Sequence, residues 1–299
     1  MTHALSSGTL PTATPLHRNT AALPLDYDPV KDRLGDLAEK SPALTKGFYR
    51  TLDLVFLRAW YVHRRLRALI ARLPQDRPID VLDAGTGFGQ YAYFLLREFP
   101  QVRVHAVDIK DDYLDRAERF FKQTPYADRV TFGWRDLTAP QPETDAYDLI
   151  LSVDVMEHIE DDRGVFRNFR QMLRPGGYVL VNTPSDLGGS GITEEGQESF
   201  IGEHVRDGYN VGDLYEKLDT AGLTPVLHEY TYGRYGSAAW RLLVKWPIQA
   251  LNASWLTAPL VGAYYLGALP AGLALNRADL QKPNPEGTGL LVVAQKPVS

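Results

Sequence analysis

The sequence predicts an α/β protein built on a doubly wound sheet of seven strands. Seven short apolar segments have the length of buried strands, and most of them alternate with stretches in which apolar residues recur at helical spacing. The first segment leads into a turn that contains three glycines, and a helix begins near Gln90. This alternation indicates a largely parallel sheet with helices on both faces.

The glycine turn lies within residues 79 to 90, I-D-V-L-D-A-G-T-G-F-G-Q. Its glycines let backbone approach a ligand closely, and strand, turn and helix N-terminus together make a nucleotide site. A dinucleotide fingerprint has the spacing G-x-G-x-x-G, whereas Gln90 holds the position of the third glycine here. Asp83 would repel a pyrophosphate but could help to hold an amino-acid ammonium, directly or through water.

This spacing resembles motif I of the class I S-adenosylmethionine-dependent methyltransferases, in their small-molecule, type 11-like branch. Four more matching segments follow in the family's order: strands at 102–108, 129–135 and 147–152, and the turn L-R-P-G-G before a strand at 178–182. The resemblance covers roughly residues 79 to 232 and the last strand. It implies S-adenosylmethionine as cofactor and a Rossmann-like mixed sheet in the order 3-2-1-4-5-7-6. The sixth strand is expected at 223–232, and the seventh, antiparallel, at 288–295.

The resemblance also implies which residues hold the cofactor. Asp108 ends the second strand, where a carboxylate suits the two ribose hydroxyls. Asp136 follows the third strand, where the family places an acid that meets the adenine amino group. The full set of implied cofactor residues is Asp83, Gly85, Thr86, Gly87, Gly89, Asp108, Ile109, Asp136, Leu137 and Ser152.

Composition excludes several classes of site. The 299 residues include no cysteine, which rules out disulfides, thiolate zinc sites and cysteine nucleophiles. The net charge of −5 offers no basic field for nucleic acid. Residues 1–25 lack the features of a signal peptide and are rich in Thr, Ala, Ser and Pro, so a disordered tail and a cytoplasmic protein are expected.

A helical cap is predicted over residues 26–75. Its long amphipathic pattern runs from Lys46 to Leu73, with a broad apolar face and many arginines on the rest of its surface. Two interpretations stay open. The helix either covers the cofactor pocket with ordinary solvated arginines, or rests as a basic amphipathic helix on an anionic membrane.

The segment after the fourth strand contains the first candidate catalytic residues. Asp154, Glu157 and His158 stand at i, i+3 and i+4, so a helix there would place them on one face at the mouth of the pocket. His158 would then be a general base with Asp154 beside it. Two alternatives stay open, capping of a helix N-terminus and ligation of a divalent metal, and we predict no metal site.

The loop after the fifth strand, residues 182–196, is polar and glycine-rich, as lids often are. His204 follows it and is a second candidate base, with Glu203, Arg206 and Tyr209 nearby. These residues either orient a polar or anionic group of the substrate or cap the next helix, at 211–221.

An apolar helical insertion is predicted over 233–285, before the last core strand within 286–299. No charged residue occurs from Trp246 to Asn276, but a single membrane span is excluded because strands six and seven must pair in one sheet. The insertion is therefore a lid, a homodimer contact or a segment that dips into one leaflet at the inner face of the membrane. Three prolines are expected to break it into short helices.

The predicted function is methyl transfer from S-adenosylmethionine to a small, hydrophobic acceptor such as a lipid, quinone or secondary metabolite. The protein mainly aligns the acceptor with the methyl group and excludes water. Two alternatives are a scaffold that binds the cofactor without turnover and an enzyme for a soluble polar metabolite. Aminopropyl transfer lacks its acid pair after the fourth strand, and a nicotinamide enzyme lacks the third glycine.

Overall fold

The computed structural model describes residues 41–187, 205–206 and 208–298. Within them, seven strands form one sheet. They are β1 Ile79–Ala84, β2 Val102–Asp108, β3 Val130–Trp134, β4 Tyr147–Val153, β5 Leu173–Pro184, β6 Thr224–Thr231 and β7 Gly289–Gln295.

The sheet order is β3-β2-β1-β4-β5-β7-β6, which confirms the predicted topology. Strands β1 to β5 pair in parallel, and β7 is antiparallel to both β5 and β6. Strand β6 therefore runs in the same direction as β1 to β5, and its last residue, Thr231, lies at the same carboxyl edge of the sheet as theirs. The residue paired with Thr231 is Gly289, the first residue of β7.

The helices cover both faces of this sheet. One hydrophobic core joins helices α1 to α4 to one face, and a second core joins α5 and α6 to the other. The helices are α1 Pro42–Val55, α2 Leu57–Ile70, α3 Gln90–Glu98, α4 Asp111–Phe121, α5 Asp162–Met172, α6 Val211–Thr220, α7 Arg234–Trp240, α8 Trp246–Ala253 and α9 Ala258–Gln281.

The predicted single cap helix is wrong, because two helices occupy its range. Phe56 between α1 and α2 takes an extended conformation, with φ −87° and ψ 112°. Arginines of α2 that looked solvated form ion pairs with carboxylates of the core: Arg64 and Arg65 with Glu229, and Arg67 with Glu98. The tail at 1–25 and the start of the cap, 26–40, lie outside the described residues.

The insertion between β6 and β7 is also more continuous than predicted. Helix α7, one π-helical turn at Arg241–Lys245 and α8 follow one another directly, and α9 returns along them. Pro259 stands in the first turn of α9, where a missing N–H removes no helical hydrogen bond. Pro247 comes directly after the π-helical turn, and the helix continues through it. Pro270, however, lies inside α9 on its exposed side, and the helix continues through it. We name residues 234–281 the apolar hairpin.

Candidate cofactor and acceptor site

The glycine turn between β1 and α3 has the backbone conformation that its sequence predicts. Gly85, Gly87 and Gly89 have φ of 82°, 52° and 81°, values that favour glycine. A β-carbon added at Gly87 would meet nothing within 4 Å, whereas one at Gly85 would lie 2.2 Å from Cγ2 of Val155. Gly87 is thus the glycine that faces open space.

Asp108 at the end of β2 is bound to this turn. Its Oδ2 accepts a hydrogen bond from the Gly87 N–H at 2.8 Å, and its Oδ1 accepts one from the Lys110 N–H at 3.0 Å. Each oxygen keeps a free lone pair, so the carboxylate can still accept the two hydroxyls of a ribose. Ile109 beside it is 59% exposed, and the indole N–H of the exposed Trp134 donates to the Ile109 carbonyl.

Asp83 lies under the turn and is almost fully buried. The Thr86 hydroxyl donates to its Oδ2 at 2.7 Å, and the backbone N–H of Ala92 donates to it as well. Burial, followed by repulsion from the Asp108 charge, raises the pKa of Asp83 to about 7, although both hydrogen bonds act in the opposite direction. A cation bound beside Asp83 would favour its ionised form.

Ser152 near the end of β4 is fully buried, and its hydroxyl has no hydrogen-bond partner among the described residues. The preceding residue, Leu151, pairs with Asp83 across β1 and β4. A buried hydroxyl without a partner at this edge is a group that a bound ligand can satisfy. Together with Asp83, Gly87 and Asp108, it fits a ligand that carries a ribose and an amino-acid ammonium, as S-adenosylmethionine does.

The two predicted adenine-side residues lie at the end of β3. Asp136 is half-buried, and its carboxylate accepts hydrogen bonds from the backbone N–H and the hydroxyl of Thr138. Leu137 is buried in the core. The roles predicted for both in cofactor binding stay predictions.

Five polar residues meet at the carboxyl edge next to the glycine turn, and we name them the edge cluster: Arg58, Tyr91, Asp154, Asn182 and Tyr232. The Arg58 guanidinium donates to Asp154, which also accepts from the Asn182 amide at 3.2 Å. The backbone N–H of Arg58 donates to the Tyr232 hydroxyl at 3.2 Å.

The edge cluster lies beside the predicted cofactor site. Val155, the neighbour of Asp154, is the residue that covers Gly85. Tyr91 is buried in the first turn of α3, and its hydroxyl has no partner among the described residues. Asp154 and Tyr232 both have positive φ, at 53° and 54°, a conformation that is uncommon for residues other than glycine. Strained residues of this kind gather at functional sites.

The predicted helix over Asp154, Glu157 and His158 is wrong. The left-handed backbone at Asp154 turns the chain, only a single 3₁₀ turn forms at Met156–His158, and α5 begins at Asp162. The side chain that caps α5 is Asp161, which accepts from the Gly164 N–H at 2.9 Å. The three residues therefore neither share a helix face nor cap a helix.

The surroundings of Asp154, Glu157 and His158 differ from one another. Asp154 belongs to the edge cluster, and His158 is half-buried. Glu157 is buried, accepts from the Thr183 hydroxyl at 3.1 Å and has its pKa raised to about 7 by burial. Among the described residues, no group of three His, Asp or Glu side chains is placed to hold a metal ion.

The second candidate base, His204, lies outside the described residues, as does Glu203. Arg206 and Tyr209 are described, and both bind Asp162 at the start of α5. The Tyr209 hydroxyl is 2.7 Å from the Asp162 carboxylate, and the Arg206 guanidinium also donates to backbone carbonyls. Their contacts therefore stabilise this corner of the fold.

Sequence reasoning missed Arg58, Tyr91 and Tyr232. Arg58 was one of many arginines in an amphipathic pattern, and no spacing distinguishes it from the others. Tyr91 has the spacing of an apolar residue in the helix that begins near Gln90, and Tyr232 ends the predicted sixth strand, so neither pattern indicates a site. The closeness of these three residues depends on the crossing of α2 over the carboxyl edge, which sequence periodicity does not encode.

Comparison with known proteins agrees with this fold. Residues 58–228 match a family model described as a methyltransferase domain. The phosphoethanolamine N-methyltransferase 1 of Triticum aestivum is 30% identical over 202 residues, covering 62% of this chain and 39% of that protein. The malonyl-acyl-carrier-protein O-methyltransferase of Halalkalibacterium halodurans is 27% identical over 109 residues, covering 36% of this chain and 40% of that protein.

A solved structure shows the same fold. The Haemonchus contortus phosphoethanolamine N-methyltransferase 2 in complex with S-adenosyl-L-methionine has a TM-score of 0.54 and 23% identity, covering 78% of this chain and 52% of that one. The alignments thus span about half or less of the length of these relatives. The family model covers more than half of this chain, with the glycine turn and the edge cluster except Tyr232 inside it. The chain therefore belongs to the class I S-adenosylmethionine-dependent methyltransferases.

Proposed function

We propose that the protein transfers a methyl group from S-adenosylmethionine to a hydroxyl or amine of a small acceptor with an apolar body. The observation that carries this proposal is the edge cluster, a set of polar groups beside the glycine turn. The cluster offers a guanidinium, a carboxylate, an amide and two phenols to the polar end of an acceptor. The apolar hairpin leaves the sheet at the same edge, next to Tyr232, and offers contact to an apolar body.

In this proposal, different residues at the strand ends bind different parts of the cofactor. Asp108 holds the ribose, Asp83 the ammonium, and the open side of Gly87 receives the cofactor. S-adenosylmethionine supplies an electrophilic methyl group and leaves as a neutral thioether when the bond to the acceptor forms. The edge cluster orients the acceptor's lone pair toward the methyl group, which is the main contribution a protein makes to this reaction.

A hydroxyl or protonated amine must also lose a proton. Asp154 and His158 are the described residues we propose for this role, and His204 is a third. Asp154 is held by Arg58 and Asn182, so its carboxylate has a fixed direction. Glu157 has a pKa near operating pH, but it is buried and points to Thr183.

The name of the Triticum aestivum relative supports a small acceptor, whereas that of the Halalkalibacterium halodurans relative gives a malonyl group on a carrier protein. Both phosphoethanolamine and the malonyl group are anionic, but Arg58 is already paired with Asp154, so the names do not assign an anionic acceptor to this chain. The relatives match this chain only in part, so the acceptor is argued here from the chain's own surface. An acceptor with a polar reacting end and an apolar remainder uses both the edge cluster and the hairpin.

The test combines two measurements on one sample. Calorimetric titration with S-adenosylmethionine measures cofactor binding, and incubation of methyl-labelled cofactor with a total cell extract measures transfer. After extraction, we expect protein-dependent label in the organic phase. Label only in the aqueous phase would refute the apolar acceptor, and binding without any transfer would favour a scaffold that does not turn over the cofactor. The Arg58→Met and Asp154→Asn variants should bind cofactor normally and lose transfer.

A further inference from the structure

The apolar hairpin exposes an unusual amount of apolar surface. Leu256 and Leu260 at its free end are 89% and 72% exposed, and Leu266 further along α9 is 83% exposed. One helical stretch in the described chain, Trp255–Gln281, is long and apolar enough to cross a membrane, and only 11% of its most apolar window is buried. Apolar patches of this kind on soluble proteins mark surfaces that meet a protein or a membrane.

We propose that the free end of the hairpin docks into one leaflet of an anionic membrane. The geometry excludes a single crossing of the membrane, because β6 and β7 on either side of the hairpin pair in one sheet. In α9, a buried stripe of Ala268, Gly272, Asn276 and Asp279 holds the second half of the helix on the protein. The ten residues before this stripe are about 15 Å long, which is about half of a hydrocarbon core.

The base of the hairpin is firmly attached, so the free end has a fixed orientation. Asp279 is fully buried, and its carboxylate accepts from the Tyr61 hydroxyl at 2.8 Å and the Gly236 N–H at 2.7 Å. The Tyr264 and Tyr265 hydroxyls donate to the carbonyls of Leu242 and Leu243 in the π-helical turn. These bonds join α9 to α7 and α2, and Leu256 and Leu260 lie beyond them toward the free end.

Aromatic and basic residues accompany this apolar end in the way a membrane interface requires. Trp246 and Tyr264 are exposed, and such rings prefer the level of the headgroups. Between Glu229 and Asp279 the sequence contains no acidic residue, although the whole chain has a net charge of −5. The basic residues in this interval are Arg234, Arg241, Lys245 and Arg277, and none forms an ion pair with a described residue.

The same charges argue against a second copy of the chain as the occupant. A two-fold dimer through this surface would bring two copies of the same interval together, each with basic residues and no acidic residue to pair with them. An anionic lipid surface instead attracts each of them. The basic residues of α2 do not provide this attraction, because Arg58, Arg64, Arg65 and Arg67 already pair with carboxylates.

The test is co-sedimentation of the full chain with vesicles of phosphatidylcholine alone and with added phosphatidylglycerol. We expect binding to the anionic vesicles and loss of binding in the triple variant Leu256→Asp, Leu260→Asp, Leu266→Asp. The matched control is Leu44→Asp, which changes a leucine that is 51% exposed on α1 and should leave binding intact. Since all four leucines are exposed, the variants should fold, and unchanged S-adenosylmethionine affinity would verify this.

Two further measurements test the basic residues of the hairpin and the depth to which its free end enters the membrane. The double variant Arg241→Gln, Lys245→Gln should weaken binding to anionic vesicles by roughly 25-fold, about fivefold for each basic residue at the surface. Lipids brominated in the acyl chains should quench tryptophan fluorescence, and Trp255→Phe should reduce that quenching. Absence of vesicle binding, or a dimer in light scattering that the leucine variants dissociate, would overturn the proposal. Equal binding to neutral vesicles would overturn its anionic specificity. Vesicle binding does not depend on methyl transfer, so the two proposals fail separately.

Discussion

The buried carboxylate of Asp83 should make cofactor binding depend on pH. Because the pKa of Asp83 is about 7, half of the cofactor-free protein carries a proton on this carboxylate at neutral pH. If the bound ammonium requires the ionised form, that proton must leave on binding. Protonation of Asp83 alone would then double the dissociation constant at pH 7, relative to high pH, and raise it about tenfold between pH 8 and pH 6, or about 1.4 kcal/mol. Because the α-amino group of the ligand is about half neutral at pH 8, the observed rise between pH 8 and pH 6 should be about fivefold. The α-amino group has its own pKa near 8, so it stays charged over the lower part of this window.

The assay is calorimetric titration of S-adenosylmethionine from pH 8 to pH 6, in buffers of different ionisation enthalpy to count the protons released. Asp83→Asn should bind more weakly and without this pH dependence. Glu157→Gln is the matched control, because Glu157 is a buried carboxylate with the same pKa of about 7 and should leave the dependence unchanged. A dissociation constant that varies less than twofold, or a pH dependence that persists in Asp83→Asn, would refute the assignment of Asp83 to the ammonium.

Four other outcomes are expected. The contribution of Asp83 to the stability of the cofactor-free protein should fall as pH rises from the ordinary aspartate range to pH 7, because the unfolded chain loses the Asp83 proton first; the difference in thermal unfolding between the wild type and Asp83→Asn at several pH values measures this. Asp108→Ala should weaken cofactor binding by about 1.5 to 3 kcal/mol, and unchanged affinity in calorimetry would remove the ribose assignment. Gly87→Ala should block cofactor binding at a stability cost of about 1 to 2 kcal/mol, and normal affinity would mean that the open side faces elsewhere. In single-turnover assays, Arg58→Met and Asp154→Asn should each slow transfer at least tenfold with cofactor affinity unchanged, and full activity would exclude the edge cluster from the reaction.

Much of the fold could be predicted because parallel strands buried on both faces leave a strong signal. The observed β2 coincides with the predicted segment, β3 is one residue shorter at each end than predicted, and β4 is one residue longer. The break at Phe56 could not be predicted, since no glycine or proline marks it and the apolar pattern continues across it. At Pro270 the error is the opposite one, because a helix break was predicted and the helix continues. Its ring is on the exposed side of α9, where it does not disturb the buried stripe.

The cofactor side of the site could be predicted better than the acceptor side. Glycines with positive φ and a strand-end acid are local features, and Asp108 does contact the turn. Asp154, Glu157 and His158 were placed on one helix because their spacing permits it, but Asp161 provides the stronger helix cap a few residues later. The partnership of Arg58 with Asp154 joins residues far apart in the chain, and only the packing of α2 over the sheet brings them together.

The pairing of Thr231 with Gly289 has a consequence for how the enzyme would meet its acceptor. The hairpin begins and ends at one point on the carboxyl edge, so docking it in a leaflet turns the edge cluster toward the lipid headgroups. An acceptor dissolved in that leaflet would then reach the site by lateral diffusion and need not enter water. Its concentration in the membrane plane, rather than its solubility, would set the rate of encounter.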